Sequence, residues 1–143
     1  MTINPKGLLL RVIDEAVNQG KMEVLDEAVA EDMVHHDLVN ADLIGRDQYR
    51  QYLLTSRKEF PDFHMTIDSV IQEGEMFALQ LHWEGTHLGE SQNLNIPATG
   101  KHILVKGCTI VRMKDGKAVE QWYYLDRLGM MRQLGLLPQS AKA

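Results

Sequence analysis

The clearest chemical lead in the chain lies in residues 117–135, where a strand-like run passes into a short helical one. Asp126 stands at the junction, and Glu120, Trp122 and Tyr124 precede it at intervals of two. Residues two apart in a strand share a face, so this spacing directs two aromatic rings and a carboxylate to one side. A carboxyl group among aromatic walls loses the hydration of its charged form, and its pKa rises. A general base that removes a proton from carbon beside a carbonyl needs that rise. The enolate so formed needs a hydrogen-bond donor, and His87, His36 and the tyrosine hydroxyls are the available groups.

Asp126 has a second reading. Aspartate immediately before a helix is a preferred N-cap, worth about 1 kcal/mol. The helix N-terminus also favours the charged carboxylate and lowers its pKa, which opposes the tuning a base wants. Sequence alone leaves cap and catalyst both open.

The elements that must position these groups are readable from periodicity. Leu8, Leu9, Val12, Ile13, Ala16 and Val17 form an apolar stripe at helical spacing, and Gly20 is a natural stop. A short second helix carries Val24, Leu25, Ala28 and Val29 inward. Residues 31–44 hold an extended Val34-His35-His36-Asp37 segment, in which the two histidines point to opposite faces. One of them faces inward, and a local chelate is not available. Gly45 opens a third helix over 46–59, with Tyr49, Tyr52, Leu53, Ser56 and Phe60 on its inner side and Pro61 as its stop.

From Phe63 onward the period changes to two. Phe77, Leu79, Leu81, Trp83 and His87 fall on one face of the strand that follows the Glu73-Gly74 turn. Residues 88–99 form a polar loop of lid-like length. A long strand spans His102 to Lys114, and Asp115-Gly116 is a strong hairpin signal. A two-residue turn there sets Met113 opposite Ala118, Val111 opposite Glu120, Thr109 opposite Trp122 and Gly107 opposite Tyr124. Thr109 then joins Trp122 and Tyr124 on the cavity side. The other face carries Cys108, Ile110, Val119, Tyr123 and Leu125, which is too apolar for water. The expected cover is a second copy of the chain, in a homodimer or homotetramer.

Composition narrows the function classes. The chain has 143 residues, enough for one domain, and a net charge of -5 with no basic cluster, which argues against nucleic acid. A single cysteine, Cys108, forms no internal disulfide, and a cytoplasmic protein is expected. No apolar run approaches the ~18 residues of a membrane span, and the N-terminus lacks the pattern of a signal peptide. The scattered histidines offer no chelating pair, and no Gly-rich phosphate loop is present. Neither metal nor cofactor is expected, and the expected partner is a small hydrophobic molecule.

Helices first, then antiparallel strands, indicate an α+β fold. Several motifs carry a resemblance within that order: Phe60-Pro61-Asp62, Gly85-Thr86-His87-x-Gly89, Ile96-Pro97-Ala98-Thr99-Gly100-Lys101, Asp115-Gly116-Lys117, Glu120-x-Trp122-x-x-x-Asp126 and Gln133-Leu134-Gly135. Over nearly its whole length the chain resembles the SnoaL-like polyketide cyclases of the NTF2-like superfamily. That resemblance implies a cone, with a strongly curved, mostly antiparallel sheet wrapped around three N-terminal helices and an internal pocket. It implies aldol-type ring closure or a related isomerisation, with one aspartate as acid/base and no metal. By position that aspartate is Asp126, and the Val-x-His-Asp pattern puts His36 at the family's position near the pocket. From the strand and helix faces, His87 is the expected catalytic partner, and Tyr49, Trp83, Thr109, Trp122 and Tyr124 are the other expected pocket residues. The strand before the hairpin departs from the characterised cyclases: it offers Thr109 and Arg112 where they have tryptophan and histidine. The other reading of the same pocket is a small-molecule binding module without chemistry.

Overall fold

The computed structural model describes residues 4–37, 40–91 and 93–138. Leu38 and Val39 in the expected extended segment, and Gln92 in the expected loop, lie outside the described residues. Helix α1 (Pro5–Arg11) starts with proline at its first position and the Asn4 side chain on the Gly7 N–H at 3.1 Å. It runs without a break into a π-helical segment (Val12–Asn18), and the chain turns away at Gly20 with φ +77°. Asn18 then pairs with the backbone of Met65 through both amide atoms, at 2.9 and 2.7 Å, and so pins the helix end to the sheet.

Helix α2 (Val24–Ala28) leads directly into strand β1 (Val29–Asp37), followed by the short β2 (Leu43–Ile44) and helix α3 (Arg46–Glu59). Strands β3 (His64–Glu73), β4 (Met76–Thr86), β5 (His102–Lys114) and β6 (Lys117–Leu125) form a meander, and α4 (Arg127–Gln133) closes the described chain. The six strands make one sheet in the order β2-β1-β6-β5-β4-β3. All neighbours are antiparallel except β1 and β6. The helices fill its inner face, where Ala16, Leu25, Met33, Phe77, Leu81 and Val105 are almost fully buried. This is the expected α+β cone.

The β5–β6 hairpin corrects the expected register. Asp115 and Gly116 do adopt positive φ, +52° and +76°, and Met113 does face Ala118. Beyond that pair the register slips by one. Arg112 faces Glu120, Ile110 faces Trp122 and Cys108 faces Tyr124, so Val119 is an extra, unopposed residue. Such a bulge inverts every side chain after it. Gln121, Tyr123 and Leu125 therefore point inward with Thr109 and Val111. Glu120, Trp122 and Tyr124 point outward with Cys108, Ile110 and Arg112. The outer face still carries aromatic rings, but they are Trp122 and Tyr124 rather than Tyr123.

The loop after β4 is tied to the end of α3. The N–H groups of Leu88 and Gly89 both donate to the Glu59 carbonyl, at 3.1 and 3.0 Å. This close approach requires glycine, because a Cβ at residue 89 would run into the Lys58 carbonyl oxygen. Backbone atoms on both sides leave little room for relief. Gly89→Ala is expected to cost about 1–3 kcal/mol of stability, read as a lower urea midpoint at unchanged slope. An unchanged midpoint would show that the loop is not held there.

Candidate active site

A cavity of about 140 Å³ lies between the helices and the concave face of the sheet. Its apolar walls include Val12 and Val17 below, Leu53 and Phe60 from α3, and Leu81 and Trp83 from β4. Trp83 packs edge-on against Phe60, with ring centroids 5.1 Å apart, and stacks on Phe63 at 4.8 Å. One side of the cavity is thus an aromatic wall.

The other side is polar, and its groups come from β1, α3 and β6. Parallel pairing sets His35 beside Gln121, His36 beside Trp122 and Asp37 beside Tyr123. Alternation then sends His35 and Asp37 inward and His36 outward. His35 is 2% exposed. The Gln121 amide nitrogen donates to its Nδ1 at 2.6 Å, which leaves the proton on Nε2. That Nε2–H has no hydrogen-bond acceptor among the described residues. Tyr49 and Tyr52 stand against the imidazole with centroids 5.5 and 5.4 Å away, and Tyr123 at 6.1 Å. Burial pushes the His35 pKa down to about 4, so the ring is neutral at physiological pH. Burial likewise raises the Tyr49, Tyr52 and Tyr123 hydroxyls, which stay protonated. Trp83 Nε1–H is another wall donor without an acceptor among the described residues.

Among the described residues, two carboxylates reach the cavity. Asp37, with its side chain 8% exposed, accepts from Arg127 through both oxygens at 3.1 and 3.2 Å. Glu59, on the last turn of α3, is 15% exposed, and burial raises its pKa. The Ser91 hydroxyl bonds to the Glu59 carboxylate and acts against that rise. Among the described residues, no group of three or more His, Cys, Asp or Glu side chains has the geometry to hold a metal ion. Nor is any helix there long and apolar enough to cross a membrane.

The residues singled out from sequence divide cleanly. Tyr49, Trp83 and Thr109 line the cavity. Thr109 is turned to the backbone, its hydroxyl donating to the Trp122 carbonyl at 3.2 Å. Trp122, Tyr124 and His36 do not line it. They sit outside, where His36 stacks on Trp122 at 5.3 Å and Arg112 lies 5.8 Å above the same ring. His36 is held between Glu120 at 2.7 Å and Asp42 at 3.0 Å. The Glu120 bond first, then Asp42, raises its pKa. The Val119 bulge is the reason these three are outside.

Asp126 also lies outside the cavity. It is exposed and caps α4, accepting the Gly129 N–H at 2.9 Å. Of the two readings left open by the sequence, the structure shows the cap. His87 is fully buried and stands behind the wall, its Nε2 3.4 Å from Glu59 Oε1. The loop expected as a lid supplies wall residues Ser91, Asn93 and Leu94, and is closed on itself by the Ser91–Ile96 bridge. Sequence reasoning missed His35, Asp37, Glu59, Gln121, Tyr123 and Arg127. Glu59 could have been found, since it continues the Tyr52–Ser56 stripe of α3 at helical spacing.

The comparisons with known proteins agree with this architecture. A model of the family described as SnoaL-like polyketide cyclase matches residues 7–134. Among solved structures, TsrD from Streptomyces laurentii is 26% identical, with 92% of this chain and 95% of that chain covered and a TM-score of 0.82. IdmH from Streptomyces antibioticus, a proposed polyketide cyclase, is 26% identical over 92% of this chain and 99% of its own, with a TM-score of 0.79. A proposed SnoaL-like polyketide cyclase from Jannaschia sp. CCS1 shares the fold, with a TM-score of 0.84 at 23% identity over 94% and 93% of the two chains. A comparison with functionally curated proteins returns no significant match. The family model spans both the helices and the cavity strands, and the chain belongs to the SnoaL-like polyketide cyclase family.

Proposed function

We propose that the protein is a cofactor-independent acid/base enzyme that enolises a hydrophobic, aromatic ketone or ester, in an aldol-type cyclisation or an isomerisation. The observation that carries this reading is the neutral, buried His35, whose Nδ1 is occupied by Gln121 and whose Nε2–H is unclaimed at the cavity wall. A neutral imidazole donates a hydrogen bond without presenting a charge that would have to be desolvated. It suits a carbonyl oxygen that becomes an enolate oxygen in the transition state. The aromatic wall of Trp83, Phe60 and Phe63 suits a flat ring system laid against it. The likeness to IdmH, a proposed polyketide cyclase, supports the same substrate class. Asp37 and Glu59 are the carboxylates within the cavity that could accept the proton.

A binding module without chemistry is the second reading. It is favoured by the pairing of Asp37 with Arg127 and by an inward face of β6 (Gln121, Tyr123, Leu125) that holds no carboxylate.

Hydrogen–deuterium exchange at C1 of 2-tetralone, followed by proton NMR in D₂O, separates the two. The enzyme reading expects catalysed exchange, and a loss of about 10²-fold in rate for His35→Phe with binding little changed. Binding of 2-tetralone without catalysed exchange would favour the module. Neither binding nor exchange would contradict the cavity as a site for such ketones.

The neutrality of His35 has its own test. The unfolded imidazole takes a proton near its ordinary value of 6.5, whereas the folded one does so only near 4. The folded pKa is depressed, so this contribution to stability is fully present above pH 6.5 and is lost as pH falls toward 4. The difference amounts to something on the order of 3 kcal/mol. His36 works in the opposite sense: its raised pKa contributes below pH 6.5 and fades as pH rises through the raised value, weakly because the side chain is partly solvated. Urea midpoints at pH 7 and 4.5 should therefore fall more steeply for the wild type than for His35→Phe. Parallel pH dependence would mean that His35 is protonated in the fold.

A further inference from the structure

We propose that Glu59 is the proton-transfer carboxylate of the cavity and that His87 is its positioning residue. This rests on the enolisation reading above and names the group that performs it. Tyr52, Ser56 and Glu59 follow one another along a single face of α3, and all three line the cavity. Asp37, the other carboxylate there among the described residues, already accepts from Arg127 through both oxygens. Among the described residues, no Arg or Lys is paired with Glu59. The guanidinium of its neighbour Arg57 is turned away to the carbonyls of Val17 and Asn18, at 2.9 and 3.0 Å.

Glu59 is held from behind. The Thr99 backbone N–H donates to His87 Nδ1 at 3.1 Å, so Nδ1 is an acceptor and the proton of the neutral ring sits on Nε2. That Nε2 is buried, has no hydrogen-bond partner among the described residues, and lies 3.4 Å from Glu59 Oε1. Ser91 bonds to the same carboxylate, and its hydroxyl is not on the imidazole, so no nucleophilic serine–histidine pair is formed. The Glu59 carbonyl is clamped by Leu88 and Gly89. Ser91 thus bonds to the carboxylate, His87 stands beside it, and Glu59 itself lines the cavity.

The step balances without a further reactant. A Glu59 oxygen takes the α-proton, the C–H electron pair becomes the enolate double bond, and the negative charge moves to the carbonyl oxygen at His35 Nε2–H. In an aldol closure the enolate carbon attacks a second carbonyl, and the proton on Glu59 passes to the new alkoxide. Besides His87 behind it, the titratable and charged groups that line the cavity with Glu59 are Tyr49, Tyr52 and Arg57 on α3, His35 and Asp37 on β1, Tyr123 on β6 and Arg127 on α4. Tyr52 lies within the fields of Asp37, Arg127 and Glu59.

The test uses 2-tetralone exchange as a function of pH, alongside carboxyl-carbon NMR of glutamate-labelled protein. Glu59→Gln should slow exchange by about 10²-fold or more with 2-tetralone still bound. His87→Leu removes the imidazole that stands 3.4 Å from the carboxylate and acts against its raised pKa, so the acid limb of the pH–rate profile should move to higher pH. His87→Gln, which keeps an N–H near Nε2, should restore it. Wild-type exchange that survives in Glu59→Gln and is lost in Asp37→Asn would move the base to Asp37 and overturn the proposal. Absence of exchange in the wild type would strike the enolisation reading instead, and the NMR titration then decides Glu59 separately. Its carboxyl carbon should titrate above the ordinary glutamate range and shift upward when 2-tetralone fills the cavity. An ordinary, ligand-insensitive titration would overturn the pair whatever the kinetics.

Discussion

One unopposed residue, Val119, determines what the cavity contains. Without the bulge, β6 would present Glu120 and Trp122 to the interior and Gln121 and Tyr123 to water. A buried Glu120 would carry a charge with its present partners, His36 and Arg112, on the far side of the sheet. Burying such a charge unpaired is far more costly than burying a neutral amide and a phenol. With the bulge, Gln121 meets His35 and fixes its tautomer. Outside, the same displacement stacks Trp122 on His36 between two carboxylates. Both faces of the β1–β6 seam depend on this single inserted residue.

The cavity that results is lined by groups that are mostly neutral. His35 is held neutral by burial, the tyrosines by their raised pKa values, and Asp37 is compensated by Arg127. Two donors, His35 Nε2–H and Trp83 Nε1–H, are left without acceptors among the described residues. Each such orphan costs about 1–3 kcal/mol of stability. In the proposed reaction a ligand carbonyl is the partner of the first. Against that background the Glu59 carboxylate, raised by burial and backed by His87, is the group best suited to move a proton. Stability and chemistry are linked here: the features that make the interior costly are those that would recognise a ketone.

Much of the scaffold was legible in the sequence because its signals are local. The helical stripe that ends at Gly20, the α3 stripe from Tyr49 to Phe60 and the Asp115-Gly116 turn all appear as read. So does the inward set Phe77, Leu79, Leu81 and Trp83. The site was only partly legible. Thr109 was placed inward by a register that set it opposite Trp122 and in the structure faces Tyr123, whereas Tyr49 and Trp83 follow from period alone. The choice between His35 and His36 does not, because it is set by parallel pairing with a strand more than eighty residues away. Nothing in Ala118-Val119-Glu120 marks an extra residue, so counting by twos from the turn placed Trp122 and Tyr124 on the wrong face. Asp126 was correctly placed at a helix start, and its role there is that of a cap. Chain position alone does not distinguish a carboxylate that faces a cavity from one that holds a helix end.

The most direct measurement of the central claim is a crystal structure of the protein with 2-tetralone bound. The account places the ring system against the wall of Trp83, Phe60 and Phe63, its oxygen within about 3 Å of His35 Nε2 and its C1 carbon facing the Glu59 carboxylate. A ketone oxygen turned away from His35, or a ligand seated on the outer face beside Trp122 with the cavity unfilled, would contradict it.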